Sequence, residues 1–234
     1  MSGVLYLLPC PISDTPAETV LPDAVLATAR RLSYFLAENA KSTRAYLKSI
    51  GHPTPLRELD IVEIGHEPAT QMIVGWLAPL LAGRDGALVS EAGCPAIADP
   101  GANIVAAAHA HGVAVRPLVG PSSVLLALMA SGLNGQRFRF LGYLPVAAPD
   151  RTRRLQAIER ESRAGETQVF IETPYRSGAM FDAILAACAL TTRVTVAMDL
   201  TGATEYVQTR SVAEWSAAAR PPLERRPCVF LLLA

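Results

Sequence analysis

Short apolar runs of β type alternate with segments of helix length, and this alternation restricts the fold more than any other feature of the chain. In the first half the apolar runs are residues 4–8, 34–37, 61–64, 87–90 and 113–118. The helical segments between them are residues 22–31, 42–50, 70–82 and 102–111. Strands that alternate with helices are typical of βαβ units, so this half is predicted to form a mostly parallel sheet.

The second half keeps the alternation but places two strands next to each other without an intervening helix. Its predicted helices are residues 122–131, 151–163, 179–189 and 212–219. Its predicted strands are residues 139–143, 168–172, 193–200, 205–209 and 228–233. Consecutive strands without a crossover pair antiparallel, which predicts a mixed sheet. Because Gly120 and Pro121 separate the halves, we expect two α/β domains, residues 1–119 and 120–234.

Composition favours folded domains and excludes several classes of protein. Half of the 234 residues are hydrophobic and 18% are charged, which argues against disorder. The longest purely apolar stretches, such as residues 124–130, are far shorter than the roughly 20 residues of a spanning helix. The first residues lack the basic segment of a signal peptide. We therefore expect a cytoplasmic protein without a membrane segment.

Charge and metal-ligand patterns are weak. The formal net charge is zero and no Lys/Arg run is present, so nucleic acid would have to bind through a local patch. The cysteines and histidines show no ligand spacing, and we expect reduced thiols and no metal. These residues are Cys10, Cys94, Cys188, Cys228, His52, His66, His109 and His111.

The loops after the predicted strands of the first half are rich in small residues and proline. These loops are residues 9–14, 90–101 and 120–123. In open α/β sheets ligands bind at the carboxyl ends of strands, and such loops let the backbone approach a flat ligand such as adenosine. The absence of GxGxxG and GxxxxGK[ST] argues against a dinucleotide enzyme or a P-loop nucleotidase. Ordinary strand-to-helix turns are the alternative.

Six segments carry a more specific signal: residues 5–12, 90–101, 120–123, 131–133, 140–145 and 172–176. Their order resembles that of bacterial 16S ribosomal RNA 2′-O-ribose methyltransferases, a branch of the tetrapyrrole (corrin/porphyrin) methylases. The likeness covers nearly the whole chain. It implies S-adenosylmethionine in a cleft between two α/β domains, and a homodimer. Apolar helices at residues 73–81 and 124–129 also favour dimerisation.

The resemblance assigns fourteen residues to the cofactor. They are Pro9, Ser90, Glu91, Ala92, Gly93, Pro95, Ile97, Ala98, Ser122, Ser123, Met198, Leu200, Thr201 and Pro227. Three departures lie on the substrate side. Ser13 and Asp14 stand where the family usually has Gly-Asn, residues 38–43 replace Glu-Asp-Thr-Arg-His-Thr, and Gly202 replaces a lysine. The identity of the cofactor is therefore better supported than that of the substrate.

Glu38 follows the second strand and is the first candidate for a base that accepts a proton from the acceptor hydroxyl. The alternative is a helix-start carboxylate that accepts backbone N–H groups. Lys41 and Arg44, on the next helix, are candidates to hold a substrate phosphate; a solvated helix face is the alternative.

Glu172, Tyr175 and Arg176 form a second candidate cluster. Glu172 and Arg176 are predicted to be catalytic and Tyr175 to bind substrate, although a structural Glu172–Arg176 pair is an alternative. Asp99 and Glu91 flank the longest loop, and capping of a helix is the favoured interpretation of Asp99.

Arg151, Arg153 and Arg154 form a basic patch near Arg137 and Arg139, and this patch is the candidate contact with an RNA backbone. Arg151 and Arg154 are accordingly predicted to bind substrate; a surface helix without a partner is the alternative. The leading function is 2′-O-methylation of ribosomal RNA, with that RNA or the small ribosomal subunit as partner. Methylation of a tetrapyrrole or another small anionic molecule, and a non-catalytic protein that binds the cofactor, remain alternatives.

Overall fold

The structure is a computed structural model that describes residues 2–234. It contains two compact units, of which the first ends at Ser122 and the second runs from Ser123 to Ala234. Each unit is built around one five-stranded sheet.

The first unit is a parallel α/β layer structure, as the alternation predicts. Its strands β1 to β5 are Val4–Leu8, Tyr34–Ala37, Asp60–Glu63, Gly86–Val89 and Ala114–Pro117. Its helices α1 to α5 are Ala17–Val20, Asp23–Arg31, Ala40–Ser49, Ile73–Leu81 and Ala102–Ala110. The strand order is β3-β2-β4-β1-β5 and each neighbouring pair is parallel, which confirms the predicted parallel sheet. The sequence does not predict α1, which has four residues and no side-chain cap.

Both faces of the central strands β1, β2 and β4 are largely buried, which explains why these strands are apolar runs, whereas the edge strands β3 and β5 are more exposed. On β1, Tyr6 and Leu8 pack into one hydrophobic cluster with α2 and α3, whereas Leu5 packs into a second cluster with α4 and α5. Because all five strands run in the same direction, the loops that follow them lie along one edge of the sheet. That edge carries the predicted site residues of the first unit.

The second unit contains a mixed sheet, and this prediction is also confirmed. Its strands β6 to β10 are Phe138–Tyr143, Thr167–Glu172, Arg193–Met198, Tyr206–Ser211 and Cys228–Leu233. Its helices α6 to α9 are Ser123–Ser131, Ala148–Ser162, Ser177–Ala187 and Val212–Ala217. The strand order is β6-β7-β10-β8-β9; β6 and β7 are parallel, and the other neighbouring pairs are antiparallel.

Aromatic side chains organise one face of the second sheet. Phe170 on β7 and Phe230 on β10 stack with their ring centroids 5.7 Å apart. The buried Trp215 of α9 donates its indole N–H to the backbone oxygen of Val194, which anchors α9 to β8. Helix α6 packs against β9 and β10. In the described chain, residues 2–234, no helix combines the length and apolar character that a membrane crossing requires.

Candidate functional site

Glu38 is held between the loops of the two strands that flank its own strand. It follows β2 and is only 7% exposed. Its Oε1 lies 2.8 Å from Nδ1 of His66, which follows β3, and its Oε2 accepts the backbone N–H of Glu91, which follows β4, at 3.0 Å. Since β3 and β4 are the sheet neighbours of β2, the parallel order itself brings these three residues together.

The start of α3 is satisfied without Glu38. The side chain of Asn39 accepts the backbone N–H groups of Lys41 and Ser42, and Oε2 of Glu63 accepts that of Ala40 at 2.9 Å. The interpretation of Glu38 as a helix-start carboxylate is therefore wrong. Its two oxygens are instead directed to His66 and to the loop after β4.

Spacing along the chain does not reveal a ligand set at His66, but the fold brings it close to possible co-ligands. One ligand atom each from Glu38, His66 and Glu91 lies within 4.8 Å of the others. These residues are at least 25 positions apart in the chain, so local spacing does not show the cluster. Their shared position just after neighbouring parallel strands is the signal that predicts it. The expected absence of a metal stays a prediction.

Asp99 does not cap a helix, contrary to the favoured interpretation. Helix α5 begins at Ala102 after Gly101 and has no side-chain cap. Burial, together with the nearby charge of Glu38, raises the pKa of Asp99 to about 6, despite a hydrogen bond with Ser90. Asp99 thus adds a third acidic group to the edge where Glu38 and Glu91 lie.

The three loops predicted to hold the cofactor in the first unit are tied together. Cys10 and Gly93 exchange two backbone hydrogen bonds, of 2.9 and 3.1 Å. The thiol of Cys94 donates to the backbone oxygen of Pro121 at 3.4 Å. A Cβ on Gly120 would lie 2.3 Å from Cβ of Pro9, so only glycine permits this approach. The loops after β1, β4 and β5 therefore form one continuous backbone surface.

Backbone strain is concentrated in the predicted cofactor segments. Non-glycine residues with positive φ are strained and collect at functional sites. Among residues 2–234 five such residues occur, and four of them, Ala96, Ala98, Asp199 and Thr201, lie within or beside those segments. In the loop after β4, Ile97 stands between two strained alanines with 55% of its surface exposed.

The other predicted cofactor residues differ in how far they are exposed to solvent. Pro9, Ser90, Gly93, Pro95, Met198 and Leu200 are buried, Ser122, Ser123 and Thr201 are half-buried, and Glu91, Ala92, Ala98 and Pro227 are exposed. The hydroxyl of Ser90 donates to the backbone oxygen of Ala92. Burial raises the pKa of the Cys10 thiol to about 12, so this loop cysteine stays protonated and does not serve as a nucleophile.

A cavity of about 530 Å³ opens beside these loops, between the loop after β1 and helix α3. Its lining includes the carboxylates Asp14, Glu18 and Glu91 and no basic residue. Tyr46 also lines it, and the buried hydroxyl of Tyr46 has no hydrogen-bond partner in the described part of the chain. Burial raises the pKa of Tyr46. The hydroxyl is therefore a protonated donor buried behind the cavity wall.

Lys41 and Arg44 lie on the exposed side of α3. One guanidinium nitrogen of Arg44 is 3.4 Å from the backbone oxygen of Ala40, one turn earlier. Their predicted contact with a substrate phosphate stays a prediction.

In the second unit, Glu172 and Arg176 form a bidentate ion pair. Nε and Nη2 of Arg176 each lie 2.8 Å from one oxygen of Glu172, and the backbone N–H of Thr173 donates to the same carboxylate. Glu172 is buried, whereas Tyr175 is 88% exposed. The structure thus pairs the two predicted catalytic residues with each other and leaves Tyr175 available to a partner.

Carboxylates partly neutralise the arginine patch of the second unit. Arg139 and Arg154 share Glu161, each at 3.1 Å, and Arg153 pairs with Asp150. Arg137 and Arg151 donate to the backbone oxygens of Ala164 and Val146. No carboxylate within residues 2–234 pairs with Arg137 or Arg151, so these two guanidinium groups keep an uncompensated charge.

Comparison with known proteins gives a consistent result. The profile of the family described as Tetrapyrrole (Corrin/Porphyrin) Methylases matches residues 4–215. A protein named ribosomal RNA small subunit methyltransferase I from Escherichia coli O157:H7 is 31% identical over 231 residues, which is 99% of this chain and 77% of that protein.

Other curated proteins of the same name show similar identities. The one from Mesorhizobium japonicum is 32% identical over 95% of this chain and 73% of its own length. The one from Pseudomonas aeruginosa is 35% identical over 75% of this chain, and the aligned part spans 58% of that relative's length.

Solved structures share the fold. The methyltransferase CobJ has a TM-score of 0.63 at 17% identity, over 99% of this chain and 94% of its own. A conserved hypothetical protein from Aeropyrum pernix K1 has a TM-score of 0.66 at 18% identity, over 100% of this chain and 85% of its own.

Proposed function

Because the chain belongs to the tetrapyrrole (corrin/porphyrin) methylase family, we propose that this methyltransferase uses S-adenosylmethionine to methylate a ribose 2′-hydroxyl of ribosomal RNA. The observation that carries the choice of substrate is the alignment of 99% of the chain with a relative named for methylation of small-subunit ribosomal RNA. A ribose hydroxyl as the acceptor within that RNA is supported by a buried carboxylate and a histidine at the edge of the first sheet that carries the predicted site residues.

The loops after β1, β4 and β5 fit S-adenosylmethionine. A Cβ on Gly93 would lie 3.3 Å from the side chain of Ile12 and 3.5 Å from the backbone oxygen of Pro121, so a larger residue would press on the neighbouring loops. The exposed Ile97 offers an apolar surface to an adenine ring, and carboxylates nearby suit a cationic ligand. Pro9, Ser90 and residues 92–98 would hold it.

When bound, S-adenosylmethionine supplies an activated methyl group on a sulfonium. The protein must hold the acceptor oxygen in line with that group, and such positioning is worth up to roughly 7–11 kcal/mol in favourable cases. A ribose hydroxyl is a poor nucleophile, so its proton must also be removed. The cluster around Glu38 is suited to this second task.

The charge of this edge favours RNA ribose over the alternative of a small anionic substrate. Glu38, Glu91 and Asp99 lie together there, and the neighbouring cavity adds Asp14 and Glu18. A tetrapyrrole with several carboxylates would be repelled by this arrangement. A neutral nucleoside would not, provided that its phosphates remain outside this edge.

We propose a homodimer as the functional form. Val74 and Leu81 on α4, and Leu125 and Met129 on α6, expose large apolar side chains, and exposed apolar groups of this kind are suited to association. Sedimentation over a range of concentrations should give twice the mass of one chain. A monomer at all concentrations would contradict the proposed dimer.

Two measurements test the proposed function. Calorimetry should show binding of S-adenosylmethionine and of its demethylated product, but not of NADH or ATP. In a strain that lacks the gene, mapping of 2′-O-methylation in ribosomal RNA should show one lost mark that the gene restores. Binding with an unchanged methylation map would favour another acceptor or the non-catalytic alternative, and no binding would exclude the methyltransferase.

A further inference from the structure

We propose that His66, held by Glu38, is the group that takes the proton from the acceptor hydroxyl. This inference rests on the proposed function and names the proton acceptor within it. It replaces the simpler hypothesis in which Glu38 itself contacts the acceptor.

The geometry separates the two residues by their access to solvent. Glu38 is buried, and both of its oxygens are occupied: Oε1 by Nδ1 of His66, and Oε2 by the backbone N–H of Glu91. The side chain of His66 is 77% exposed. Within residues 2–234 its Nε2 has no hydrogen-bond partner. An incoming hydroxyl therefore meets Nε2 of His66 before either oxygen of Glu38.

The contact with Glu38 also selects the tautomer of the imidazole. A carboxylate accepts hydrogen bonds, so Nδ1 of His66 carries the hydrogen that it donates to Glu38. In the neutral ring the lone pair then lies on Nε2, on the solvent side. The negative charge of Glu38 stabilises the imidazolium that forms once Nε2 has accepted a proton, as a buried carboxylate does in other carboxylate–histidine pairs.

Glu38, His66, the acceptor hydroxyl and the methyl donor account for every bond and proton of the transfer. As the hydroxyl oxygen forms its bond to the methyl carbon, the carbon–sulfur bond breaks and its electron pair stays on sulfur. The proton of the hydroxyl passes to Nε2 of His66 and is later released to water. The oxygen gains a methyl group, and no oxidant or reductant is required.

The neighbouring cavity provides room for the acceptor nucleoside. Glu91 connects this cavity with the Glu38–His66 pair, because its backbone N–H donates to Glu38 and the residue also lines the cavity. The carboxylates of Asp14, Glu18 and Glu91 line that cavity and are acceptors. These groups suit the hydrogen-bonding edges of a base and sugar, whereas an anionic phosphate would be repelled.

His66→Asn is the decisive variant. The amide nitrogen of asparagine reaches about the same place as Nδ1 and keeps a donor to Glu38, but the side chain cannot accept a proton. We expect kcat for methylation of ribosomal RNA to fall by roughly 10²- to 10⁴-fold, with unchanged affinity for S-adenosylmethionine in calorimetry. His109→Asn, on the exposed side of α5, is the matched control and should stay within twofold of the wild type.

Two further readouts separate a proton acceptor from a positioning role. His66→Gly should be partly rescued by added imidazole, because the site is open to solvent. In the free protein, ¹⁵N NMR should show His66 protonated at Nδ1 and unprotonated at Nε2, and Glu38→Gln should abolish that preference. Full activity of His66→Asn, or a preference for the other tautomer, would overturn the inference.

A metal-dependent reaction is the competing outcome, since Glu38, His66 and Glu91 are also possible ligands. Loss of wild-type activity after treatment with a chelator, with recovery on addition of Mg²⁺ or Zn²⁺ alone, would assign His66 as a ligand and overturn the proton-acceptor role. Failure of the wild type to methylate any ribosomal RNA would instead remove the proposed function. An active wild type with an equally active His66→Asn removes only the inference.

Discussion

Arg176 forms two hydrogen bonds to the buried carboxylate of Glu172. Its Nε lies 2.8 Å from Oε1 and its Nη2 lies 2.8 Å from Oε2. The two residues are four positions apart, at the end of β7 and just before α8, so the pair joins a strand to the helix that follows it. The arrangement supports the structural alternative for a pair that the sequence assigns to catalysis.

Removal of Arg176 should therefore lower the free energy of unfolding, and any loss of activity should follow from that loss of stability. Arg176→Ala leaves a buried carboxylate unpaired, and we expect the free energy of unfolding in urea to fall by about 3–5 kcal/mol. Arg153→Ala, which breaks an exposed pair with Asp150, is the control and should cost no more than about 1 kcal/mol. A stable Arg176→Ala protein that binds cofactor but does not transfer methyl groups would restore the catalytic assignment.

Gly93→Val should abolish the binding of S-adenosylmethionine while the protein stays folded. At φ +69° a side chain is strained, and its Cβ would also press on Ile12 and Pro121 in the neighbouring loops. Gly112→Val has the same type of strain, at φ +71°, but no atom within 4 Å. Calorimetry should thus show binding only for the Gly112 variant. Equal affinities for the two variants would mean that the loop after β4 does not hold the cofactor.

Much of the fold follows from the sequence because the central parallel strands β1, β2 and β4 are apolar runs and because β8 and β9 lack a helix between them. Helix α1 does not follow, since four residues carry too little periodicity. The pair of Glu38 with His66 is harder to infer, because the parallel order β3-β2-β4 creates it from residues 28 positions apart. Asp99 is hard to interpret for the same reason. Its pKa is raised by burial and by Glu38, which is far away in the sequence, whereas the residues next to Asp99 in the chain suggest only a helix cap.

The acidic edge should make stability depend on pH through Asp99. Its pKa of about 6 in the folded protein is above the ordinary value of 3.8, so between about pH 4 and 6 the folded state binds more protons than the unfolded state. Stability then falls as pH rises through this window. Asp99→Asn removes that penalty, so the variant should gain stability over the wild type at pH 7 to 8.

The advantage of Asp99→Asn should shrink as pH falls and vanish below about pH 3, where the carboxyl is protonated in both states. Thermal unfolding from about pH 3 to 8 measures the difference. Glu67→Gln, which removes an exposed carboxylate near the same edge, is the control and should show no such pH trend. A difference between Asp99→Asn and wild type that does not change with pH would contradict the raised pKa.

Glu161 restrains the arginine patch. Each of its two carboxylate oxygens pairs with one guanidinium group, that of Arg139 or that of Arg154, at 3.1 Å. If RNA lies on this patch, Glu161→Gln should tighten binding of ribosomal RNA fragments and steepen the salt dependence. Each additional phosphate contact raises the slope of log K against log salt by about 0.7–0.9. Glu58→Gln, which frees Arg57 in an exposed pair of the first unit, is the control and should change neither quantity. Filter binding between 50 and 200 mM salt, a range over which such contacts weaken affinity strongly, separates the outcomes. An unchanged slope for Glu161→Gln would show that the patch is an ordinary solvated helix face, and the RNA would have to be held elsewhere.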